Sequence, residues 1–208
     1  MRLVVRALLP TLFLAALATH SAFAKPPEKA KDDGFVGPYD FGAAADFTVS
    51  CDDPANGPSV DVPAELEPLV PTGTKPIEWR KADLNLDGRP DYILVVEKDC
   101  EERTLLVVAR KPDGSLFVAA SNNQMIMSRS DGGTQGGYAG TLPTPGAFTV
   151  SQGSGSGPTM QSWSVTFAWS AKQQTWLAKE SQVEYCEMSN CQVKTDSKAA
   201  GTPFERYR

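Results

Sequence analysis

The chain has 208 residues, with 20 basic and 25 acidic side chains, four cysteines and a single histidine. That histidine, His20, lies in a segment that has the three parts of a signal peptide, so we expect none in the mature chain. This excludes a Ser-His-Asp triad, a Cys-His dyad and a histidine-bound zinc ion from the mature protein. Carboxylate, lysine, tyrosine and cysteine side chains are then the possible acid–base groups.

The predicted signal peptide covers residues 1–24. Arg2 and Arg6 supply its positive start, a mostly apolar core runs from Leu8 to Leu17, and Ala22-Phe23-Ala24 matches an A-x-A cleavage site. The apolar run is too short to span a bilayer. We therefore expect a periplasmic or extracellular protein that has no transmembrane segment after cleavage.

Cleavage changes the charge of the chain. It removes two arginines and no acidic residue, so the basic count falls from 20 to 18 against 25 acidic residues, and the net charge moves from −5 to −7. Such an acidic protein repels phosphate backbones, and we expect no nucleic-acid partner. Residues 25–46 are predicted to be a flexible leader, and residues 47–208 a single β-rich domain.

The cysteines indicate two disulfides, because an even number in an exported chain is typical of a disulfide framework. Cys186 and Cys191 flank a turn-like tetrapeptide, so we expect them to clip a hairpin to each other. Cys51 and Cys100 are then left to pair by elimination. The alternative is a four-cysteine zinc site, against which the absence of a C-x-x-C pair argues.

The first predicted strand is Phe47–Cys51, and Pro68 limits residues 64–70 to a single helical turn. An edge-like strand follows at Ile77–Ala82. Residues 92–96 and 104–108 are apolar at nearly every position, which is typical of central strands that are covered on both faces. A short charged turn over residues 97–103 is expected to join them.

The second half of the chain is predicted to alternate strands with long loops. A turn at 112–115 leads into a strand at 116–120, residues 128–146 and 152–158 read as Gly-rich loops, and 153–157 as a flexible linker. Short strands are predicted at 147–150 and 176–178, and a clipped hairpin at 183–193. Strict alternation predicts one shared face for Trp163, Val165, Phe167 and Trp169. The fold class is therefore mainly β, an antiparallel meander of about seven to nine strands that forms a sandwich or a strongly curved sheet, clipped by a disulfide.

The segment that carries the most specific chemistry runs from Asp83 to Asp91 and reads D-x-N-x-D-G-x-x-D. Its oxygen side chains converge if the loop turns tightly at Gly88, and six to eight oxygens are what calcium prefers. Leu94 replaces the glutamate that an EF-hand needs at position 12. The predicted metal ligands are Asp83, Asn85, Asp87, Arg89 (through its carbonyl) and Asp91. The alternative is a hairpin connection whose Asp and Asn side chains cap their own backbone.

A strand–loop–strand segment of this pattern resembles the calcium loops of FG-GAP and VCBS-type β-repeats, and the resemblance implies Ca²⁺ as a cofactor. The wider segment from Trp79 to Trp176 also resembles a group of exported bacterial proteins of uncharacterised function. They share W-x-x-A-D-L-N-x-D-G-x-x-D-Y, then a Gly-rich loop and an aromatic strand. One copy of the loop differs from β-propellers, which need several blades to close a ring.

We expect an exported, non-enzymatic binding module whose partner is a protein or a component of the cell envelope. A narrower version is an inhibitor or immunity-type protein directed against an envelope hydrolase. The alternative class is a hydrolase that uses carboxylates on glycans, since tryptophans at 163, 169 and 176 could stack on sugars. For that alternative the candidate carboxylates are Asp83, Asp87, Asp91, Glu97, Asp99, Glu101 and Glu102. The Gly-rich loop at 132–140 is expected to be a plain loop, not an anion site.

Overall fold

The computed structural model describes residues 59–99, 101–128, 131–132, 137–188 and 190–208. All of them belong to one unit of the chain, Tyr39–Arg208. The predicted signal peptide, the predicted leader, the strand predicted at Phe47–Cys51 and the cysteines Cys51 and Cys100 lie outside the described residues. Within these ranges, every helix is too short or too polar to cross a bilayer.

The described part of the chain contains nine strands and two single-turn 3₁₀ helices, at Glu67–Leu69 and Phe204–Arg206. The first of these turns is the single helical turn expected before the first long strand. In chain order the strands are β1 (Lys75–Ala82), β2 (Asp91–Lys98), β3 (Glu102–Arg110), β4 (Leu116–Asn122), β5 (Gly137–Thr144), β6 (Ala147–Ser156), β7 (Thr159–Ser170), β8 (Thr175–Glu187) and β9 (Asn190–Asp196).

Two antiparallel sheets follow the chain order without a crossover. The first sheet has the order β1-β2-β3-β4, and the second has the order β5-β6-β7-β8-β9. Their facing sides share one core, in which Ile93 and Val107 of the first sheet belong to the same buried cluster as Phe148 and Phe167 of the second. The expected mainly-β meander is confirmed, as two sheets that pack face to face.

The first sheet is covered on both faces, which explains the unbroken apolar runs in β2 and β3. Side chains of one parity, such as Ile93, enter the core between the sheets. Side chains of the other parity, such as Leu94 and Val108, pack under Leu66 and its neighbours in the segment that precedes β1. The prediction of two central strands is thus confirmed, and β1 is an edge strand as expected.

The three middle strands of the second sheet, β6, β7 and β8, are longer than any strand of the first sheet. β7 and β8 have 12 and 13 residues, whereas β1 to β4 have between 7 and 9. The buried core ends at Val165 on β7 and at Ala178 on β8. Beyond those residues the second sheet extends past the first, and β9 is exposed along nearly its whole length.

Two loops predicted from composition are strands in the structure. Residues 153–156 belong to β6, where Gly153 and Gly155 pair with Ser162 and Met160 of β7, so a flexible linker at 153–157 was the wrong interpretation. Residues 137–144 likewise form β5. The physical reason is packing: the Cβ atom of any other residue at Gly155 would lie 2.7 Å from the carbonyl oxygen of Thr159. Here glycine permits a close approach of two strands and does not mark a free linker.

The charged turn between β2 and β3 is shorter than expected. Glu97 and Arg103 both lie inside strands, directly opposite each other, and are buried. The Nε of Arg103 donates to Glu97 Oε2 at 2.9 Å, and its Nη1 donates to the Met127 carbonyl at 3.0 Å. Glu97 therefore forms a buried ion pair inside the sheet, and the prediction that it belongs to the charged turn at 97–103 was wrong.

The C-terminal segment closes one side of the sandwich. Phe204 is fully buried in the shared core, with its ring 5.3 Å from that of Phe167. The Asn122 amide donates to the carbonyls of Phe204 and Tyr207 at 2.6 and 2.8 Å, which ties this segment to the end of β4.

Candidate functional site

The loop at residues 83–91 connects β1 to β2 at one end of the sandwich, where the second sheet supports it. The Trp176 indole donates to the Leu84 carbonyl at 2.8 Å, and the Gly146 amide donates to the Asp83 carbonyl at 2.8 Å. Leu84 itself is completely buried. One side of the loop is thus hydrogen-bonded to β8 and to the β5–β6 turn, and its other side faces solvent.

The predicted ligands at the start of the loop turn inward onto its own backbone. The Asp87 amide lies 3.1 Å from both Asp83 Oδ1 and Asn85 Oδ1, and the Gly88 amide donates to Asp83 Oδ2 at 3.0 Å. Gly88 has φ +79°, which confirms the expected tight turn at the sixth position. Three side chains thus converge on one turn.

Asp87 is held by a second set of contacts. Its carboxylate accepts from the Arg89 amide at 2.9 Å and from the Asn85 amide side chain at 2.9 Å. The Arg89 guanidinium forms an ion pair with the same carboxylate at 2.6 Å. Arg89 therefore supplies a positive charge directly beside one predicted calcium ligand.

Asp91 is set apart from the other predicted ligands. It is fully buried, and its two oxygens accept from the Leu84 amide at 3.0 Å and the Arg110 amide at 2.9 Å. Burial raises the pKa of Asp91, while these two hydrogen bonds oppose the rise. This carboxylate joins the loop to the end of β3.

Arg110 extends this connection to the segment before β1. Its guanidinium donates to both oxygens of Glu65 at 2.9 Å and to the carbonyls of Pro90 and Gly114. The Tyr92 hydroxyl also contacts Glu65. The hydrogen bond from Tyr92 and the neighbouring guanidinium hold the pKa of Glu65 below its ordinary value. Together these contacts give the loop a rigid base.

The donor set fits a hard cation in part. Asp83, Asn85 and Asp87 offer side-chain oxygens from one turn, and backbone carbonyls or water would have to complete the six to eight oxygens that calcium prefers. In the described residues, however, the three aspartates do not bring their oxygens within 4.8 Å of one another; that condition is met by Glu184, Cys186 and Cys191. Because the two sulfurs are bonded to each other at 2.07 Å, that second group offers no thiolate ligands. A calcium ion at the loop would have to compete with the Arg89 guanidinium for the Asp87 carboxylate.

The carboxylates considered for hydrolysis do not form one site. Asp91 begins β2, whereas Glu101 and Glu102 lie beyond the far end of that strand. The two ends of β2, Asp91 and Lys98, are seven residue steps apart, which corresponds to about 23 Å along the strand. Trp169 and Trp176 pack against each other at 4.7 Å, and Trp176 is buried, while Trp163 lies on the protruding part of the second sheet.

The hairpin disulfide is confirmed. Cys186 and Cys191 are directly opposed on β8 and β9, at the outer end of the second sheet. The hairpin that they clip carries exposed side chains, among them Tyr185, Met188 and Val193.

A second candidate site lies on the inner side of this protruding sheet, which the first sheet does not reach. Cross-strand register places Ser154, Gln161, Tyr185 and Gln192 in one row, and Gln152, Trp163, Val183 and Lys194 in the next. Trp163 lies two residues from the core residue Val165, so both rows share the core-facing side. We call the part beyond Gln152 the open face: Ser154, Gln161, Trp163, Val183, Tyr185, Gln192 and Lys194.

Two shallow depressions cross the open face and meet at Tyr185. One has a volume of about 410 Å³ and is lined by residues of β8 and β9; the other, of about 280 Å³, is lined by residues of β6, β7 and β8. The side chains of Gln161, Tyr185 and Gln192 make no hydrogen bond to any other described residue. They are available to a ligand.

The Gly-rich stretch beside the open face is described only in part. Gly137 and Gly140 belong to β5, where they pair with Gly153 and Ser151, and the Gly155 amide donates to the Gly132 carbonyl at 3.3 Å. In the described residues these backbone groups complete a sheet edge.

Comparison with protein-family models, with curated proteins and with solved structures gives no match to this chain. The sequence pattern identified the loop at 83–91 but not the open face. The open face exists because β6, β7 and β8 are longer than the strands of the first sheet. This difference in length was hidden in the sequence, because the glycines of β5 and of the end of β6 led us to predict loops there.

Proposed function

We propose that the protein is an exported, non-enzymatic binding domain that uses the open face as its contact surface. The observation that carries the proposal is a set of exposed aromatic and amide side chains, centred on Tyr185, on a hydrogen-bonded sheet. Rigid sheets hold such groups at fixed spacings, which lowers the entropy lost when a partner binds. Exposed tyrosine also suits a contact surface, because its ring is apolar and its hydroxyl is polar.

Export is supported by two features together. The first is the three-part signal at residues 1–24. The second is the Cys186–Cys191 disulfide, because such bonds persist in oxidising compartments. The partner is then a protein or another component of the cell envelope, and an envelope hydrolase that this domain inhibits remains the narrower version of the proposal.

The experiment compares three purified mature chains as bait for envelope extract: wild type, Tyr185→Ala and Leu142→Ala. Leu142 is 59% exposed on the same sheet but away from the open face, and therefore serves as the matched control. We expect a saturable partner that the wild type and Leu142→Ala retain and that Tyr185→Ala loses. A partner retained equally by all three, or no saturable partner, would overturn the proposal.

A second role is proposed for the loop at 83–91, as a calcium site that stabilises the fold. The specific observation is the convergence of Asp83, Asn85 and Asp87 around the Gly88 turn. These three side chains would hold the ion, which would supply charge compensation and fasten the loop. Asp91 would support them from below through its contact with Leu84.

Thermal melting tests this role. With calcium at a hundredfold excess over its dissociation constant, the free energy of unfolding should rise by about 2.7 kcal/mol, which raises the melting temperature by several degrees. Asp87→Ala should abolish the rise, whereas Asp113→Ala, in the exposed β3–β4 turn, should preserve it. An unchanged wild-type melting curve in millimolar calcium would rule the site out.

A further inference from the structure

We infer that the ligand of the open face is a neutral glycan chain, bound across the strands with one sugar ring on Tyr185. This inference rests on the proposed function and adds the chemical class of the partner. It is drawn from the direction of the depressions, from the side chains that line them and from their charge.

The direction of the depressions separates a glycan from a peptide. The line from Ser154 through Gln161 and Tyr185 to Gln192 crosses β6, β7, β8 and β9 in turn. Four neighbouring strands span about 14 Å between the first and the last, the length of a short oligosaccharide. A peptide that extends a sheet lies parallel to its strands and pairs with an edge such as β9. A ligand that crosses the strands forms no such backbone ladder and depends on side chains.

The side chains along this line match the chemistry of sugars. A pyranose ring has an apolar C–H face, which packs on an aromatic ring, and a rim of hydroxyls that both donate and accept hydrogen bonds. Tyr185 is 45% exposed and lines both depressions, so its ring is accessible at the centre of the path. Gln161 and Gln192 flank it on the neighbouring strands. An amide side chain offers two donors and one acceptor, which suits a hydroxyl pair.

The charge of the path favours a neutral ligand. Lys194 and Asp196 are the only charged residues that line the two depressions among the described residues, and their charges cancel. Strand register places Glu180 and Glu184 on the outer side of the same sheet, opposite Thr166 and Ser162. The mature chain has a predicted net charge of −7. A polyanion would meet this field without a cluster of cations to hold it.

The test is affinity electrophoresis of the full mature chain through gels that contain neutral polysaccharides, such as β-glucan and galactomannan, or the polyanion polygalacturonate. We expect a neutral polysaccharide to retard the wild type, and Tyr185→Ala to raise the dissociation constant about tenfold. Gln192→Ala should raise it less, and Leu142→Ala should leave it unchanged. Melting curves and the mass of the intact disulfide form verify that each variant folds.

A second readout follows Tyr185 directly. Nitration by tetranitromethane, located by mass spectrometry, should modify Tyr185 in the ligand-free chain, and the neutral polysaccharide that binds should protect it. If Tyr185 is unreactive without ligand, the chain's own N-terminal residues or a second copy covers the open face, and the inference is overturned.

The remaining outcomes separate this inference from the proposed function. If only polygalacturonate retards the chain, the ligand class is wrong. If no polysaccharide binds but an envelope protein is retained in a Tyr185-dependent manner, the glycan is wrong and the binding domain stands. If neither binds, both are wrong.

Discussion

Asp91 illustrates how one buried side chain can serve a loop and a sheet at once. Its oxygens accept one amide from the loop, that of Leu84, and one from the end of β3, that of Arg110. Without these two donors the burial of the carboxylate would be unfavourable, because burial penalises the ionised form. The residue therefore fixes the position of the loop whether or not a metal ion binds there.

We predict that Asp91→Asn lowers the free energy of unfolding by about 1–3 kcal/mol. The asparagine side chain has one acceptor oxygen and one NH2 group. Either the Leu84 or the Arg110 backbone amide would therefore face that NH2 group and lose its hydrogen bond. The matched control is Asp61→Asn, the same chemical change at an exposed carboxylate, which should cost little. Urea denaturation of both variants measures the difference, and equal midpoints would contradict the structural role of Asp91.

Tyr138 and Glu78 form a polar link between the two sheets. The Tyr138 hydroxyl donates to Glu78 Oε2 at 2.6 Å, and the Thr141 hydroxyl donates to Oε1 at 2.6 Å. Burial, followed by the charge of Glu78, raises the pKa of Tyr138 well above its ordinary value of 10.0. The folded chain thus holds the tyrosine proton more tightly than the unfolded chain does.

This shift predicts an alkaline loss of stability. The contribution of Tyr138 is complete below pH 10 and is lost as the pH rises from there toward the raised pKa, by at most about 1.4 kcal/mol per pH unit. Tyr138→Phe should be less stable at pH 8, because Glu78 loses a donor, but its stability should fall less steeply above pH 10. Denaturant titrations at each pH measure both slopes, with Tyr185→Phe as the control. Parallel slopes for wild type and Tyr138→Phe would refute the prediction.

At the scale of elements, the β8–β9 hairpin differs from the other hairpins because its second strand, β9, pairs only with β8 among the described residues and is exposed along nearly its whole length. Local contacts and the Cys186–Cys191 disulfide hold β9 in place. A bond that closes so short a loop stabilises the hairpin by about 2 kcal/mol in the chain-entropy account.

We therefore predict a local effect when both cysteines are replaced by serine. The amides of β9 should exchange with solvent markedly faster, while those of β2 and β3 should exchange at nearly the wild-type rate. Hydrogen exchange followed by mass spectrometry separates the two regions, and reduction of the wild-type disulfide should reproduce the result. Equal acceleration in β2 and β9 would show that the hairpin is part of the global folding unit.

The elements also differ in how far sequence could predict them. β2 and β3 were predictable because their apolar residues are continuous, and the Gly88 turn because few other residues adopt its φ. β5 and the end of β6 were not, since their glycines read as breakers. The decisive interaction, the close approach of β6 and β7 at Gly155, depends on a neighbouring strand. Similarly, Glu97 has an acidic sequence context, and Arg103 becomes its partner through strand register.

At the scale of the whole molecule, the C-terminal segment completes the core. Phe204 packs edge-on against Phe148 and Phe167, at 5.4 and 5.3 Å between ring centres. The Leu177–Pro203 bridge and the contacts of Asn122 hold this segment between β8 and β4. The C-terminal segment thus covers the core at one side of the two sheets.

We predict that Phe204→Ala lowers the free energy of unfolding of the whole domain by about 3–5 kcal/mol, because it leaves a cavity among buried rings. Phe117→Ala, at a ring that is 39% exposed, is the matched control and should cost far less. Denaturation monitored through the buried tryptophan Trp176 and through far-UV circular dichroism should give coincident transitions. A small loss for Phe204→Ala would mean that the segment packs on a core that is already complete.

The sequence by itself determined the mainly-β class, the central strands, the clipped hairpin and the position of the oxygen-rich loop. Each of these depends on residues that are close together in the chain or on a simple alternation. Only the tertiary structure decided that Asp91 serves Arg110, that Glu97 pairs with Arg103, that Phe204 enters the core and that the second sheet extends beyond the first. The first three features are contacts between residues that are separated in sequence, and the fourth is a difference in length between two separate sheets. Strand register and core packing determine all four, and neither can be read from a local stretch of sequence.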